Sequence, residues 1–457
     1  MNRTRLTRRN FLAAAATSAA VPYFWPRRLA GAEDVNSQLT IGAIGVGGSR
    51  GRYNRGGGIA RQAARFGRIV AVCDVDALHT GEFAEKFEYK INQYQDYRQL
   101  LEREKVDLVT IGTPDHWHVP ISIAAMKAGC DVYCEKPLTL TIDEGKQICR
   151  VVRQTGRVFQ VGSQQRTEYG QRFLKAVALA QSGRLGGNLR AYVAIGGAPA
   201  GGPFPNTDPP KELNWDMWLG PAPAVPYCVE RRKLFRWWLE YSGGKMTDWG
   251  AHHIDIAQWA LGCDHTGPVE VSGAGRFPPL IPKYDPKRFL DGEITLPNGF
   301  NTAIKFNICL KFANGTELSV NDSYTSPDGE TSFGNGILIV GDEGRIFVNR
   351  ARLSGKPVEE LGEADRRWLD EEVIKLYGGK KPAGHMENFF QCIGERSLPI
   401  SDVFTHHRTM TSCHLCNITL LLGRPLRWDP DREDFVGDEE ASSLRWRRQR
   451  EPYVTEI

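Results

Sequence analysis

The stretch "QLTIGAIGVGGSRG", residues 38–51, most limits what this chain can fold into. A β-rich run over 39–44 enters a glycine cluster at Gly45, Gly47, Gly48 and Gly51. Further on, "GRIVAVCDVD" at 67–76 supplies a second β run that ends in Asp74 and Asp76. Strand, glycine turn, helix, strand, acid is the order of a dinucleotide-binding unit. The glycines allow a tight turn and close backbone approach to a pyrophosphate, and the N-terminus of the next helix faces the anion. Asp74 is placed to accept hydrogen bonds from a ribose 2′-hydroxyl. A 2′-phosphate would meet a like charge there, so NAD is expected over NADP. The loop departs from G-x-G-x-x-G, because Arg50 holds the sixth position and Gly51 comes one later.

Two more strands carry polar clusters at their carboxyl ends, where an open parallel sheet keeps its ligand. "VDLVTIGTPDHWHVP" reads as a buried strand over 106–111 that leads into Thr113 and Pro114, with His118 beyond. "CDVYCEKPLTL" reads as a short strand ending at Glu135, Lys136 and Pro137. The proline disfavours the α conformation at Lys136 and holds it extended at the strand tip. The candidate cofactor contacts are therefore Gly45, Gly47, Gly48, Ser49, Arg50, Asp74, Thr113, Pro114, His118, Glu135 and Lys136.

A third signal is "SGGKMTDWGAHHIDIAQWALG" at 242–262. On a helix, Asp248 and His252 are i,i+4 neighbours and Asp255 lies three further on, so the three share a face. His253 is turned about 100° away. Nearby aromatic residues, Trp215, Trp218, Phe235, Trp237, Trp238 and Tyr241, suit either a carbohydrate face or ordinary core packing.

The glycine loop, "TPDHWH", "CEKPLT" and "DWGAHHIDIAQW", in that order, resemble the Gfo/Idh/MocA oxidoreductase family, which includes glucose-fructose oxidoreductase and inositol dehydrogenase. The resemblance runs from about residue 39 to 429. It implies an N-terminal Rossmann domain, a doubly wound parallel sheet, followed by a C-terminal α/β domain with an open, mostly antiparallel sheet. Our reading places the first domain at 39–162, the second at 163–435 and a polar tail at 436–457. A helix over 171–182, a hairpin in "NGILIVGDEGRIFVN" and a core helix in "THHRTMTSCHLCNITLLLG" fit that plan.

The resemblance also implies a catalytic set of Lys136, Asp248 and His252. A histidine can take the hydroxyl proton of a secondary alcohol, a neighbouring carboxylate can orient it, and a lysine adds charge where alkoxide character develops. Asp255 is expected to hold the helix or orient a neighbour. Lys136, Arg166, Trp237 and His253 are the candidate substrate contacts, although His253 could equally pack. Homo-oligomerisation through the open face of the second sheet is a further implication.

Composition narrows the remaining classes. The chain has 457 residues, 41% hydrophobic and 25% charged, which suits a soluble protein with two or three cores. A net charge of +4, partly from "LRWRRQR" at 444–450, is too small to suggest nucleic acid, and that segment reads as solvated surface. Residues 1–32 are different: Arg8, Arg9, Phe11 and Leu12 precede an alanine-rich run and a small-x-small site. This resembles a twin-arginine signal, whose pathway exports folded proteins, so a periplasmic or otherwise exported protein with no stable membrane anchor is expected. Export in the folded state suits a tightly held nucleotide. The ten cysteines are scattered, and the C-x-x-C of Cys413 and Cys416 reads as buried thiols, so no metal is expected.

The leading expectation is an exported enzyme that oxidises a sugar, sugar derivative or polyol by hydride transfer to bound NAD. One alternative is an NAD-dependent glycosidase that works by transient oxidation, elimination and re-reduction. Another is a non-catalytic sugar-binding protein on the same fold.

Overall fold

The computed structural model describes residues 38–52 and 54–455. The export leader expected at 1–32 lies outside the described residues. Six strands form the first sheet: β1 (Thr40–Ile44), β2 (Arg68–Cys73), β3 (Asn92–Tyr94), β4 (Leu108–Ile111), β5 (Asp131–Cys134) and β6 (Phe159–Val161). Their order is β3-β2-β1-β4-β5-β6 and every pairing is parallel. The order reverses between β1 and β4, the switch point at which such sheets bind ligands. Both faces are covered, which is why β4 and β5 read as unbroken buried runs. Ile41 and Ala43 pack on one face with Ile59 and Ala60 of helix α1 (Arg55–Ala63), while Ile44 packs on the other with Val109 and Ile111. Helix α2 (Ala77–Ala84) starts at Asp76, whose side chain caps Leu78 N.

The second sheet has nine strands. They are β7 (Arg190–Ala194), β8 (Glu270–Arg276), β9 (Lys305–Lys311), β10 (Glu317–Asn321), β13 (Gly336–Val340), β14 (Arg345–Val348), β15 (Leu353–Ser354), β16 (Leu426–Asp429) and β17 (Asp434–Phe435), with β11 (Tyr324–Thr325) and β12 (Ser332–Phe333) forming a separate ribbon. The order is β15-β14-β13-β7-β10-β9-β8-β16-β17, and only β7 with β10 is parallel. The expected hairpin is β13 and β14, with Ile337 opposite Val348. Alternation puts Val193, Ile308, Leu318, Val320, Ile337 and Ile339 into the core.

Helices fill the space beside this sheet. They are α3 (Arg172–Gln181), α4 (Gly244–Asp248), the wholly buried α5 (Gly250–Ala260) and α6 (Val403–Leu422). Cys413 and Cys416 lie buried on α6, and all ten cysteines are free thiols. Before α6 the chain recrosses its own beginning: Met386, Phe389, Cys392 and Ile393 pack against Ile41, Ile59 and Tyr133 of the first core. The basic segment at 444–450 is only partly the solvated face expected: Trp446 and Arg448 are exposed, but its other arginines are bound. Arg445 pairs with Asp434 at 3.1 Å, Arg450 pairs with Asp216 at 2.6 Å, and Arg447 donates to Leu239 O. Among the described residues no helix is long and apolar enough to cross a membrane.

Burial holds several histidines neutral. It pushes His116 and His414 down to about 3, and His253, His385 and His406 down to about 4, from an ordinary 6.5. Between these values the unfolded chain binds more protons than the folded one, so stability is full above pH 6.5 and is lost as pH falls towards the folded values. Each ring contributes up to about 1.4 kcal/mol per pH unit in that window. Urea melts taken stepwise from neutral to mildly acid pH should show a falling midpoint. A flat midpoint across that window would show that these rings are solvated.

Candidate active site

A cleft of about 970 Å³ opens at the carboxyl ends of the parallel strands, walled on the far side by the second domain. Gly45 and Gly47 line it with positive φ values of 74° and 64°. A Cβ on Gly45 would fall 2.5 Å from the Thr113 side chain, so only glycine lets the loop pass so close to β4. Helix α1 does not begin until Arg55, and the close-packing glycine is Gly56, not Gly51. A Cβ on Gly56 would sit 1.8 Å from Gly45 O, and Gly57 N donates to Val46 O at 2.7 Å. Asp74, just beyond β2, lines the cleft. Its carboxylate accepts from Gly47 N at 2.9 Å and Asp76 N at 3.0 Å, so the acid meant for the ribose also anchors the glycine loop.

Thr113, Pro114, His118, Glu135 and Lys136 also line the cleft. His118 bridges two carbonyls, Pro137 O at 2.7 Å and Thr113 O at 2.9 Å, and so ties the tips of β4 and β5 together. Glu135 accepts from Arg55 Nε at 2.8 Å. Gly48, Ser49 and Arg50 are not part of the wall. Ser49 N donates to Glu82 at 2.8 Å, and Arg50 pairs with Glu212 at 2.8 Å, because the loop turns outward before α1 begins. The structure does not bring these three expected cofactor contacts into the cleft wall.

The opposite wall carries Asp248 and His252, but not as a bonded pair. Trp249 separates α4 from α5, and the Asp248 carboxylate turns to Lys136 Nζ at 2.6 Å and Arg236 Nε at 3.2 Å. No hydrogen bond joins it to His252, whose Nδ1 is buried without a partner. Burial raises the Asp248 pKa, but Lys136 and Arg236 outweigh it and bring it down to about 2. His252 is pushed well below 6.5 by burial, with Lys136 and Arg350 adding to the effect. The imidazole is therefore neutral at neutral pH and receives no help from Asp248.

Three expected substrate contacts face elsewhere. Arg166 forms a buried fork with Asp255, at 2.8 and 2.7 Å, and donates to Ile400 O at 3.0 Å. Asp255 also accepts from Ser163 and Thr409, so it does hold its helix in place. His253 packs between Gln165 and Asn335, at 3.3 and 3.1 Å. Trp237 lies against Phe300, while its neighbours Phe235 and Arg236 face the cleft. Sequence reasoning missed Arg55, Gly56, Tyr169, Arg236, Trp249 and Arg350, all of which line the cleft. The glycine run at 56–58 was a signal for Gly56; no motif marks Arg350.

The glycine cradle, the Asp74 carboxylate and a cleft of this size fit a nicotinamide dinucleotide. Residues 39–163 match the Gfo/Idh/MocA family model described as "Oxidoreductase family, NAD-binding Rossmann fold". Residues 203–276 match its companion, "Oxidoreductase family, C-terminal alpha/beta domain". Both matches are to the Gfo/Idh/MocA oxidoreductase family. The chain is an NAD-dependent oxidoreductase. The scyllo-inositol 2-dehydrogenase (NAD(+)) of Bacillus subtilis is 26% identical over 318 residues, 67% of this chain and 73% of that protein. A glycosyl hydrolase family 109 protein of Shewanella pealeana is 28% identical over 218 residues, 42% of this chain and 46% of that protein, so this match spans less than half of either. The crystal structure of the WlbA dehydrogenase from Bordetella pertussis, in complex with NADH and UDP-GlcNAcA, shares the fold with a TM-score of 0.58. It is 16% identical, and the match covers 86% of this chain and 98% of that one.

Gly56→Ala should strip NAD from the purified protein by driving α1 away from the glycine loop, as read by the nucleotide released on denaturation. Asp255→Asn leaves Arg166 buried and unpaired and should cost about 3–5 kcal/mol in urea unfolding. A loss under about 1 kcal/mol would show that water reaches the pair.

Proposed function

We propose that this family member oxidises a secondary alcohol of a sugar, sugar derivative or polyol, with His252 as the base. The observation that carries this reading is a neutral imidazole on the cleft wall beside the Lys136–Asp248 pair. Lys136 spends two of its donors on Asp248, at 2.6 Å to the carboxylate and 3.0 Å to the carbonyl. Its third donor is left to hold the substrate hydroxyl and to stabilise negative charge as the proton leaves for His252. Gly45, Gly47 and Asp74 would hold the dinucleotide, and Thr113 and Pro114 would flank it. When bound, NAD supplies the hydride acceptor. Asp248 stays ionised and fixes Lys136 and Arg236 in the wall.

The names and contents of the similar proteins support a sugar or polyol as substrate, since one is an inositol dehydrogenase and another holds a nucleotide sugar. The similarity to a glycosyl hydrolase family 109 protein supports a second reading, in which the hydride returns after an elimination and no net oxidation remains. We place the protein outside the cytoplasm on its twin-arginine-like leader, with the cofactor recycled while bound, and as a homo-oligomer by its family resemblance.

Two measurements test this. Protein purified without added nucleotide should release NAD or NADH on denaturation, identified by mass spectrometry. His252→Ala should keep that nucleotide and lose turnover on a responsive polyol or glycoside by about 10²–10⁴-fold. Wild-type turnover in a loaded His252→Ala protein would remove the base assignment. Free sugar released from a glycoside without net NADH would favour the glycosidase.

A further inference from the structure

Asn349 builds the tight turn between β14 and β15. Its side-chain oxygen accepts from Ala351 N and Arg352 N at 2.9 Å, and its own N–H donates to Arg352 O at 2.9 Å. The next residue, Arg350, reaches the cleft wall. Its Cζ lies 4.8 Å from the Tyr169 ring centroid and 4.6 Å from that of Trp249. Two aromatic faces thus flank the guanidinium and leave its edge for hydrogen bonding. The Tyr169 backbone is held at φ 61°, with Gly170 at 62° and Gln171 at 59°, a left-handed run. A non-glycine residue held there is strained, and such strain collects at ligand sites.

The charges around Arg350 are unbalanced. Lys136 and Arg236 share Asp248, and Arg55 has Glu135. Among the described residues no acid forms an ion pair with Arg350, and its Nε is buried without a hydrogen-bond partner. Burial pulls its pKa down, although Tyr169 and Asp248 work against that. Lys245 adds another cation near Asp248, His252 is neutral, and Asp115, deeper in the wall, is raised by burial. A half-buried guanidinium with no acid costs stability unless an anion arrives to meet it. Its planar fork suits an oxyanion that can take two parallel hydrogen bonds.

We propose that Arg350 anchors an oxyanion of the substrate, so that the alcohol oxidised belongs to an anionic sugar: a sugar carboxylate, or a sugar phosphate or sulfate ester. Arg350 then sets specificity against neutral hexoses and inositols. The inference rests on the oxidoreductase reading above and names its substrate class.

The test compares matched pairs on the NAD-loaded protein. Methyl glucoside is set against methyl glucuronide, methyl galactoside against methyl galacturonide, and glucose against its 6-phosphate and 6-sulfate. Binding is read by calorimetry and hydride transfer by reduced-nicotinamide absorbance, for wild type, Arg350→Gln and Arg350→Lys. The expected result is a preference of about tenfold or more for an anionic member, lost in Arg350→Gln and only partly kept in Arg350→Lys, which retains the charge without the fork. Whether carboxylates or esters show that preference identifies the anion. Equal or better binding of the neutral members overturns the proposal, as does a panel in which nothing binds. Loss of bound NAD from Arg350→Gln also overturns it, because Arg350 would then serve the cofactor. Arg350-dependent anion binding without reduction would leave this inference standing and remove the oxidation reading for that class.

Discussion

The buried ion pair between Lys136 and Asp248 sets the geometry of this cleft. Lys136 stands just past β5 of the parallel sheet, Asp248 ends α4 of the second domain, and they meet at 2.6 Å. Such a pair is weak evidence for net stability, because taking both charges out of water offsets most of their attraction. Its consequence is positional: it holds a lysine donor and an ionised carboxylate at the mouth of the switch point. It also occupies the acid that helical spacing had given to His252. The histidine is left neutral, as the proton-acceptor role proposed for it requires at neutral pH.

A second buried pair repeats the arrangement deeper in the molecule. Arg166 follows β6, Asp255 sits on α5, and the fork between them also reaches Ile400 O in the chain that returns before α6. Three segments far apart in sequence are thus joined at one guanidinium. Asp248 and Asp255 lie on consecutive helices, and each receives a cation from the carboxyl edge of the first sheet. Together they set the face of α5 that carries His252 against the cleft, while His253, one residue on, is turned into the core.

Much of this was legible in the residues. β4 and β5 show as apolar runs because a parallel sheet hides both faces, and β13 and β14 show as a hairpin because a polar turn separates two β-branched segments. The glycine loop, Asp74 and the Lys136–Pro137 tip came from local chemistry. The misreadings share one cause. Ser49, Arg50, Arg166, Trp237 and His253 were placed near the site by their neighbours in sequence, but each one's direction is set by a distant partner: Glu82, Glu212, Asp255, Phe300 and Asn335. Arg350 was invisible for the converse reason, since its turn carries no motif and its environment of Tyr169 and Trp249 comes from two other segments.

The sequence by itself determined the two-sheet plan, the dinucleotide-binding loop and the presence of Lys136, Asp248 and His252, because strand periodicity, glycine turns and proline constraints act over a few residues. Only the tertiary structure decided which acid meets which base, and that an arginine without an acid faces the cleft. Those outcomes depend on ion pairs and ring contacts between segments one to two hundred residues apart, where local spacing carries no information about direction.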